Sequence, residues 1–184
     1  NSVIQRVKEL FVEYNIKPYD KVTHRGNIKH ILTKKGYHSE EFMLCFITYQ
    51  KTIKHIDQIV EILIQEFPHI KTIIQNINER HDNVILGDEE KILYGKGYIY
   101  DTLLDNQYKI SLKSFYQINP IQVEKLYQTA IDLAHLNNDS IVLDAYCGIG
   151  TITLSLAKHV KKVYGVEVVP QAIEDAKNNA LLNK

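Results

Sequence analysis

The sequence predicts an α/β protein in two parts, an α+β domain over residues 1–118 and, over 119–184, the first part of a doubly wound domain with a parallel sheet. Three observations predict it. Up to Gln117, segments with apolar residues at helical spacing are interleaved with strand-like runs. Asn119-Pro120 then opens a helix, and from there the pattern runs helix, strand, glycine turn, helix, strand, helix. The 184 residues carry 22 basic and 22 acidic side chains and 45% apolar content, which suits one or two compact units and excludes a disordered or collagen-like chain.

The elements follow in order. Ser2-Val3-Ile4-Gln5 reads as a capping box ahead of Val7, Leu10, Phe11 and Tyr14, predicting a helix over 2–14 that Pro18 stops. Arg25 to Tyr49 reads as a hairpin turning at Lys34-Lys35-Gly36, its second strand starting at Phe42. Ile56, Ile59, Val60, Leu63, Ile64 and Phe67 mark a helix ended by Pro68, and Ile70 to Ile77 a strand. Lys91 to Gln117 fits short strands and turns. The helix capped by Asn119 is expected to bury Val123, Leu126, Tyr127, Ala130, Ile131 and Ala134. Ile141-Val142-Leu143 reads as a buried strand, Tyr146 to Gly150 as a turn into a helix reaching Ala157, and Val163 to Val166 as a second strand. Pro170 opens a last helix carrying Ala172, Ile173, Ala176, Ala180 and Leu181.

Composition narrows the function classes. The longest apolar runs, such as Phe42 to Ile47, fall far short of the roughly 20 residues needed to span a bilayer, so no membrane partner is expected. Two cysteines, Cys45 and Cys147, suit neither a disulfide scaffold nor a zinc site, no secretory signal is recognisable, and a cytoplasmic protein without a bound metal is expected. A net charge of zero means that any nucleic-acid role has to rest on a local patch. Lys21 to Ser39 offers one: Lys21, Arg25, Lys29, Lys34 and Lys35 without an acid, near Tyr37 and Tyr49 for base stacking. The same lysines would equally protect an edge strand from aggregation.

The chemistry concentrates where the second part begins. Asp144, Gly148 and Gly150 follow a strand and open a helix, and Glu167 ends the next strand. Adjacent strand ends of a doubly wound sheet would let the glycine backbone approach a ligand while the carboxylate accepts from a ribose diol. A plain turn beside a solvated glutamate is the alternative. The third small residue of a dinucleotide fingerprint is missing, and Asp-x-x-x-Gly-x-Gly is instead the usual pattern for S-adenosylmethionine.

Asp144-Ala-Tyr-Cys-Gly-Ile-Gly-Thr151, Gly165-Val-Glu167 and Asn178-Asn-Ala-Leu-Leu-Asn183, with Ser114-Phe-Tyr-Gln117-Ile-Asn119 upstream, resemble the bacterial S-adenosylmethionine-dependent RNA (uracil-5-)-methyltransferases that modify 23S rRNA or tRNA. The resemblance implies a Rossmann-like methyltransferase domain, truncated here, and an RNA partner, with ribosomal RNA favoured over tRNA. It implies that Gln117, Tyr146 and Glu167 bind the methyl donor, that Gly148 and Gly150 permit close backbone approach, and that Asp144 orders the turn. Read without it, Gln117 would be a turn-capping amide and Tyr146 a packing aromatic. The family's cysteine nucleophile and base are expected beyond Lys184, and its OB-like domain before Asn1, so that this stretch alone would not turn over. Cys45, in an apolar strand, and Cys147, in the turn, do not fit the nucleophile's role. A methyltransferase acting on a small molecule or protein is the alternative reading, and a binding module with a structural Rossmann half is a third. The oligomeric state is not readable from the sequence.

Overall fold

The computed structural model describes residues 2–184, which divide into two compact units: residues up to Lys35 with Glu40–Ile99, and Gly36–Ser39 with Tyr100–Lys184. The first unit holds α1 (Ser2–Glu13), β1 (Ile28–Lys35), β2 (Phe42–Thr48), α2 (Ile56–Glu66), β3 (Ile70–Ile77) and β4 (Glu89–Gly95). Its sheet runs β1-β2-β3-β4, with β2 and β3 parallel and the outer pairs antiparallel. Helix α2 makes the parallel crossover, as a β-α-β connection requires. Val3, Val7, Leu10 and Phe11 of α1 and Ile59, Val60 and Leu63 of α2 share one core with Phe42, Leu44 and Phe46 of β2 and Ile70 and Ile73 of β3. The Phe11 ring meets Phe46 edge-on, centroids 5.3 Å apart.

The first helix ends earlier than Pro18, and for a different reason. Asn15 takes a left-handed backbone (φ 53°) and Ile16 N–H donates back to the Phe11 carbonyl at 2.7 Å, closing the helix with a C-terminal left-handed turn. The expected capping box is not formed: Ser2 is already helical and the Gln5 amide donates to Glu9 at 3.2 Å.

Behind the apolar core, β3 carries the fully buried amide Asn76 and the buried Gln75, and the fully buried Asn78 directly follows the strand. Burying an amide costs free energy unless its donors and acceptors are met, and here the partners are the loops. Asn76 grips the Gly87 backbone from both sides, at 3.0 Å to its carbonyl and 2.7 Å from its N–H. Asn78 donates to the carbonyls of Val84 and Ile85 at 2.7 and 2.8 Å, and Gln75 donates to the carbonyls of Gln50 and Lys51. The segments leaving β2 and β3 are therefore held in place.

The second unit contains β6 (Asn106–Ser111), α3 (Pro120–Leu133), β7 (Ile141–Ala145), α4 (Thr151–Ala157), β8 (Lys162–Val166), α5 (Pro170–Leu182) and most of β5 (Tyr98–Leu103). The units thus divide near Ile99, so the boundary read at residue 118 falls inside the second unit. Long-range bonds tie β6 into this unit: Asn179 of α5 and Asn183, the residue that caps it, accept from Lys109 N–H and Gln107 N–H of β6 at 2.7 and 2.8 Å. Asn119 caps α3 as expected, accepting from Gln122 N–H.

Strands β7 and β8 are parallel, as the alternation predicted, with Asp144 opposite Gly165. Their burial is not as predicted. Ile141 and Leu143 are each 64% exposed, because among the described residues β7 pairs with β8 alone and one face of the pair is bare. On α3 only Val123, Tyr127 and Ile131 are buried, while Leu126, Ala130 and Ala134 are exposed. On α5 the buried positions are polar, Asp175 and Asn179, with the alanines only half-buried.

Asn76→Ala removes both partners of Gly87 at once; it should lower stability by about 1–3 kcal/mol, seen as a reduced urea midpoint with an unchanged slope.

Candidate functional site

The tips of β7 and β8 meet. Tyr146 turns the chain out of β7 with a left-handed backbone (φ 67°), unusual for a residue with a side chain, and Cys147 N–H extends the ladder by donating to the Val166 carbonyl at 3.0 Å. Gly148 and Gly150 are left-handed too (φ 55° and 87°), and Gly150 stands at the N-cap of α4. Glycine adopts these angles without steric cost. A Cβ placed on Gly148 would meet no atom within 4 Å, so its backbone borders open space.

Glu167 reaches across to this turn. Its Oε2 accepts from Gly148 N–H at 3.1 Å, and its Oε1 accepts from Val168 N–H and Val169 N–H at 2.8 and 2.9 Å. The bond from Val169, with those from Gly148 and Val168, holds the carboxyl below the usual glutamate range. A carboxylate offers about four lone-pair sites, so this arrangement leaves one on Oε2 beside the glycine turn.

Asp144 performs a different task. Its Oδ2 accepts from the Thr153 hydroxyl, tying the end of β7 to the first turn of α4. Tyr146 is 82% exposed. Gln117 is half-buried, and among the described residues no hydrogen bond joins its amide or the Tyr146 hydroxyl to the Glu167 cluster. Of the six residues read as donor-binding, the structure thus bonds Glu167 directly to Gly148, uses Asp144 to brace the turn, and leaves Tyr146 and Gln117 without such bonds.

Two residues with a part in this geometry were not assigned one from sequence. Gly165 lies where β8 passes the turn: a Cβ there would stand 2.9 Å from Cys147 Sγ and 3.2 Å from Thr153 Oγ1, so close approach of strand and turn demands glycine. Thr153 is the brace for Asp144. The glycine directly ahead of Val166-Glu167 was the available signal for the first; the second had none.

Neither cysteine has the character of a nucleophile. Burial pushes the Cys45 thiol up to about 12, and burial followed by the charges of Asp144 and Glu167 raises that of Cys147. Among the described residues no group of three His, Cys, Asp or Glu side chains is placed to hold a metal, and no helix is long and apolar enough to cross a membrane.

The first unit carries a second surface of interest. Tyr19, His24, Tyr49 and His81 gather where the loop before β1 meets the segments after β2 and β3. The Tyr19 hydroxyl lies 2.7 Å from His24 Nδ1 and 3.1 Å from His81 Nδ1, its ring 4.8 Å from that of Tyr49, and Lys29 Nζ sits 5.2 Å above it. Partial desolvation, then Tyr49 and Asp20, raise the Tyr19 phenol, which stays protonated. Of the cations read as a patch, Lys29 is committed to the carbonyls of Asn78 and Arg80 and Lys35 is paired with Glu40, whereas Lys21 and Arg25 are exposed.

The tRNA (uracil-5-)-methyltransferase family model matches residues 32–184. An uncharacterized RNA methyltransferase of Oceanobacillus iheyensis is 45% identical over 183 residues, 100% of this chain and 40% of that protein. Another, of Streptococcus mutans, is 48% identical over 100% of this chain and 41% of that protein. The chain therefore spans about 40% of the length of these curated relatives. The Pyrococcus abyssi tRNA (uracil-54, C5)-methyltransferase, solved with S-adenosyl-L-homocysteine, superposes with a TM-score of 0.80 at 28% identity, over 97% of this chain and 42% of that one. Methanocaldococcus jannaschii Trm5, solved with adenosine, matches with a TM-score of 0.52 at 14% identity, over 100% and 50% of the two chains, which is a likeness of fold alone. With its glycine turn, its carboxylate at the neighbouring strand tip and a family match over most of its length, this chain belongs to the tRNA (uracil-5-)-methyltransferase family.

Proposed function

We propose that this chain is the donor-binding part of an enzyme that transfers a methyl group from S-adenosylmethionine to C5 of a uridine in RNA. The observation that carries the reading is the meeting of Glu167 with the Gly148 backbone, 3.1 Å apart, beside open space. The donor set fits the cofactor: one free lone pair of Glu167 for a ribose hydroxyl, a turn without side-chain bulk, and the Tyr146 ring exposed next to it. Gln117 would serve the amino-acid end with an amide that can both donate and accept. S-adenosylmethionine, when bound, supplies an electrophilic methyl group. The chain's own residues orient it: Glu167 fixes the sugar, Asp144 with Thr153 keeps the turn closed on α4, and Gly165 lets β8 lie against that turn.

Replacing the C5 hydrogen of uracil needs a nucleophile at C6 and a base for the C5 proton. Cys45 and Cys147, both buried and with raised thiols, are not suited to the nucleophile's part. The half-buried Tyr19 and Tyr49 with the exposed His24 and His81, and Lys21 and Arg25 near them in sequence, support RNA as the substrate, since surface rings stack on unpaired bases and cations follow phosphates. The resemblance of the turn to members that modify 23S rRNA or tRNA supports an RNA uridine target, and we place ribosomal RNA first. A cytoplasmic location accords with two free cysteines.

Calorimetry on the full-length protein should show S-adenosylhomocysteine binding that Glu167→Ala weakens by about tenfold or more. Because the folded carboxyl is depressed, its contribution is complete above the ordinary glutamate range and is lost as pH falls through the lowered value; affinity should be flat near neutrality and drop only in acid. Incubation with 5-fluorouracil-substituted ribosomal RNA and the methyl donor should yield a covalent protein–RNA adduct; a protein or small-molecule methyltransferase would give none. Tyr49→Ala should weaken RNA binding by about tenfold, as loss of one stacked base does, with S-adenosylhomocysteine affinity unchanged.

A further inference from the structure

The segment from Ser111 to Gln117 has no regular structure beyond the end of β6, yet it carries the side chain assigned to the donor's amino-acid end. Two buried carboxylates hold it. Asp175 of α5, 2% exposed, accepts from the Ser111 and Ser114 hydroxyls at 3.0 and 2.9 Å. Ser114 Oγ also accepts from Ser111 N–H at 3.0 Å, which curls the segment into a tight bend. On the other side, Asp101, 1% exposed, accepts from the Tyr116 hydroxyl at 3.3 Å and from the backbone N–H groups of Tyr37, His38 and Ser39. Gln117 is the residue next to Tyr116.

Helix α5 also holds the glycine turn. Asn179, fully buried and one helical turn beyond Asp175, donates to the Ile149 carbonyl at 3.0 Å and accepts from Lys109 N–H of β6 at 2.7 Å. Asn183, a further turn on, pairs with both backbone groups of Gln107. Residues 175 and 179 share a helix face by their four-residue spacing and Asn183 is the C-cap of the same helix, so one element sets the glycine turn, the β6 edge and the Gln117 segment against each other. Glu167 lies just ahead of the same helix. A helix burying an apolar stripe would hold these parts together too, but it would not fix their register, since apolar contacts lack direction.

We propose that Asp175 and Asn179 are positioning residues of the methyl-donor site: Asp175 sets Gln117 through Ser114, and Asn179 sets the glycine turn through Ile149. This rests on the donor-site reading above. Loss of Asp175 removes the acceptor that the Ser111 and Ser114 hydroxyls share and loosens the segment's tie to α5, whereas asparagine at 175 keeps an oxygen that both can reach.

The experiment uses the full-length protein and four variants, Asp175→Ala, Asp175→Asn, Ser114→Ala and Asn179→Ala, with amide hydrogen exchange measured without ligand and S-adenosylhomocysteine affinity measured by calorimetry. Asp175→Ala should speed exchange over residues 111–118 and weaken binding about tenfold, Ser114→Ala should do the same more mildly, and Asp175→Asn should stay within about threefold of the parent. Asn179→Ala should instead speed exchange in the turn over 146–150. The KM for RNA should not move in any of them. Unchanged exchange over 111–118 in Ser114→Ala, the variant least able to unfold the protein, overturns the proposal, as does unchanged affinity in a folded Asp175→Ala protein. A parent protein that binds no S-adenosylhomocysteine overturns the donor-site reading and the proposal with it, and is distinguished by appearing before any variant is made.

Discussion

A single carboxylate holds the working end of the second unit together. Glu167 accepts three backbone N–H groups, one from the turn that follows β7 and two from its own loop after β8, and so locks the tips of two parallel strands at one spacing. Parallel strands by themselves leave their outgoing loops free, since the ladder ends at the last paired residue. Here the ladder is continued by a charge. A carboxylate receiving N–H donors makes stronger bonds than a neutral acceptor would, and their cost in desolvation is modest at a partly open strand tip. The glycines matter because of this bond: the turn must bring Gly148 N–H towards the carboxylate and still leave its other side clear, which the left-handed backbone at Gly148 and Gly150 permits.

The same device recurs in both units, with buried amides and carboxylates acting on irregular backbone. In the first, Gln75 and Asn76 of β3 and Asn78 just after it bond the segments that follow β2 and β3; in the second, Asp101, Asp175 and Asn179 take hold of residues 37–39, the Ser111–Gln117 segment and the glycine turn. No buried side-chain polar atom among the described residues lacks a partner. Directional bonds of this kind add little net stability each, but they select one loop conformation over its neighbours, and a ligand site assembled from loops depends on that selection. The aromatic and imidazole surface on the first unit stands on loops held in this way.

Much of this was legible in the sequence, and the misses share a cause. The strands at Phe42 and Ile70, the helix opened by Asn119-Pro120 and the turn from Tyr146 to Gly150 stand where local spacing placed them. Local spacing falls short wherever a residue's partner lies far along the chain. The second compact unit takes in residues from Tyr100 onward, ahead of the boundary read at 118, and within it asparagines of α5 and its C-cap bond β6 across more than 60 positions. On α5 the deepest positions are the polar Asp175 and Asn179, whose partners lie on β6, the Ser111–Ser114 bend and the glycine turn. Leu126, Ile141 and Leu143, read as core positions, are exposed among the described residues, where β7 has β8 alone as its strand partner.

By itself the sequence determined the order and type of the elements, the glycine turn and the carboxylate placed to face it, because helix and strand periods, caps and left-handed glycines are encoded within a few residues of where they act. Only the tertiary structure decided that Glu167 is bonded to Gly148, that Asp144 braces α4, and which polar side chains are buried. These depend on hydrogen-bond partners brought near by packing, and no short-range pattern carries the distance between them.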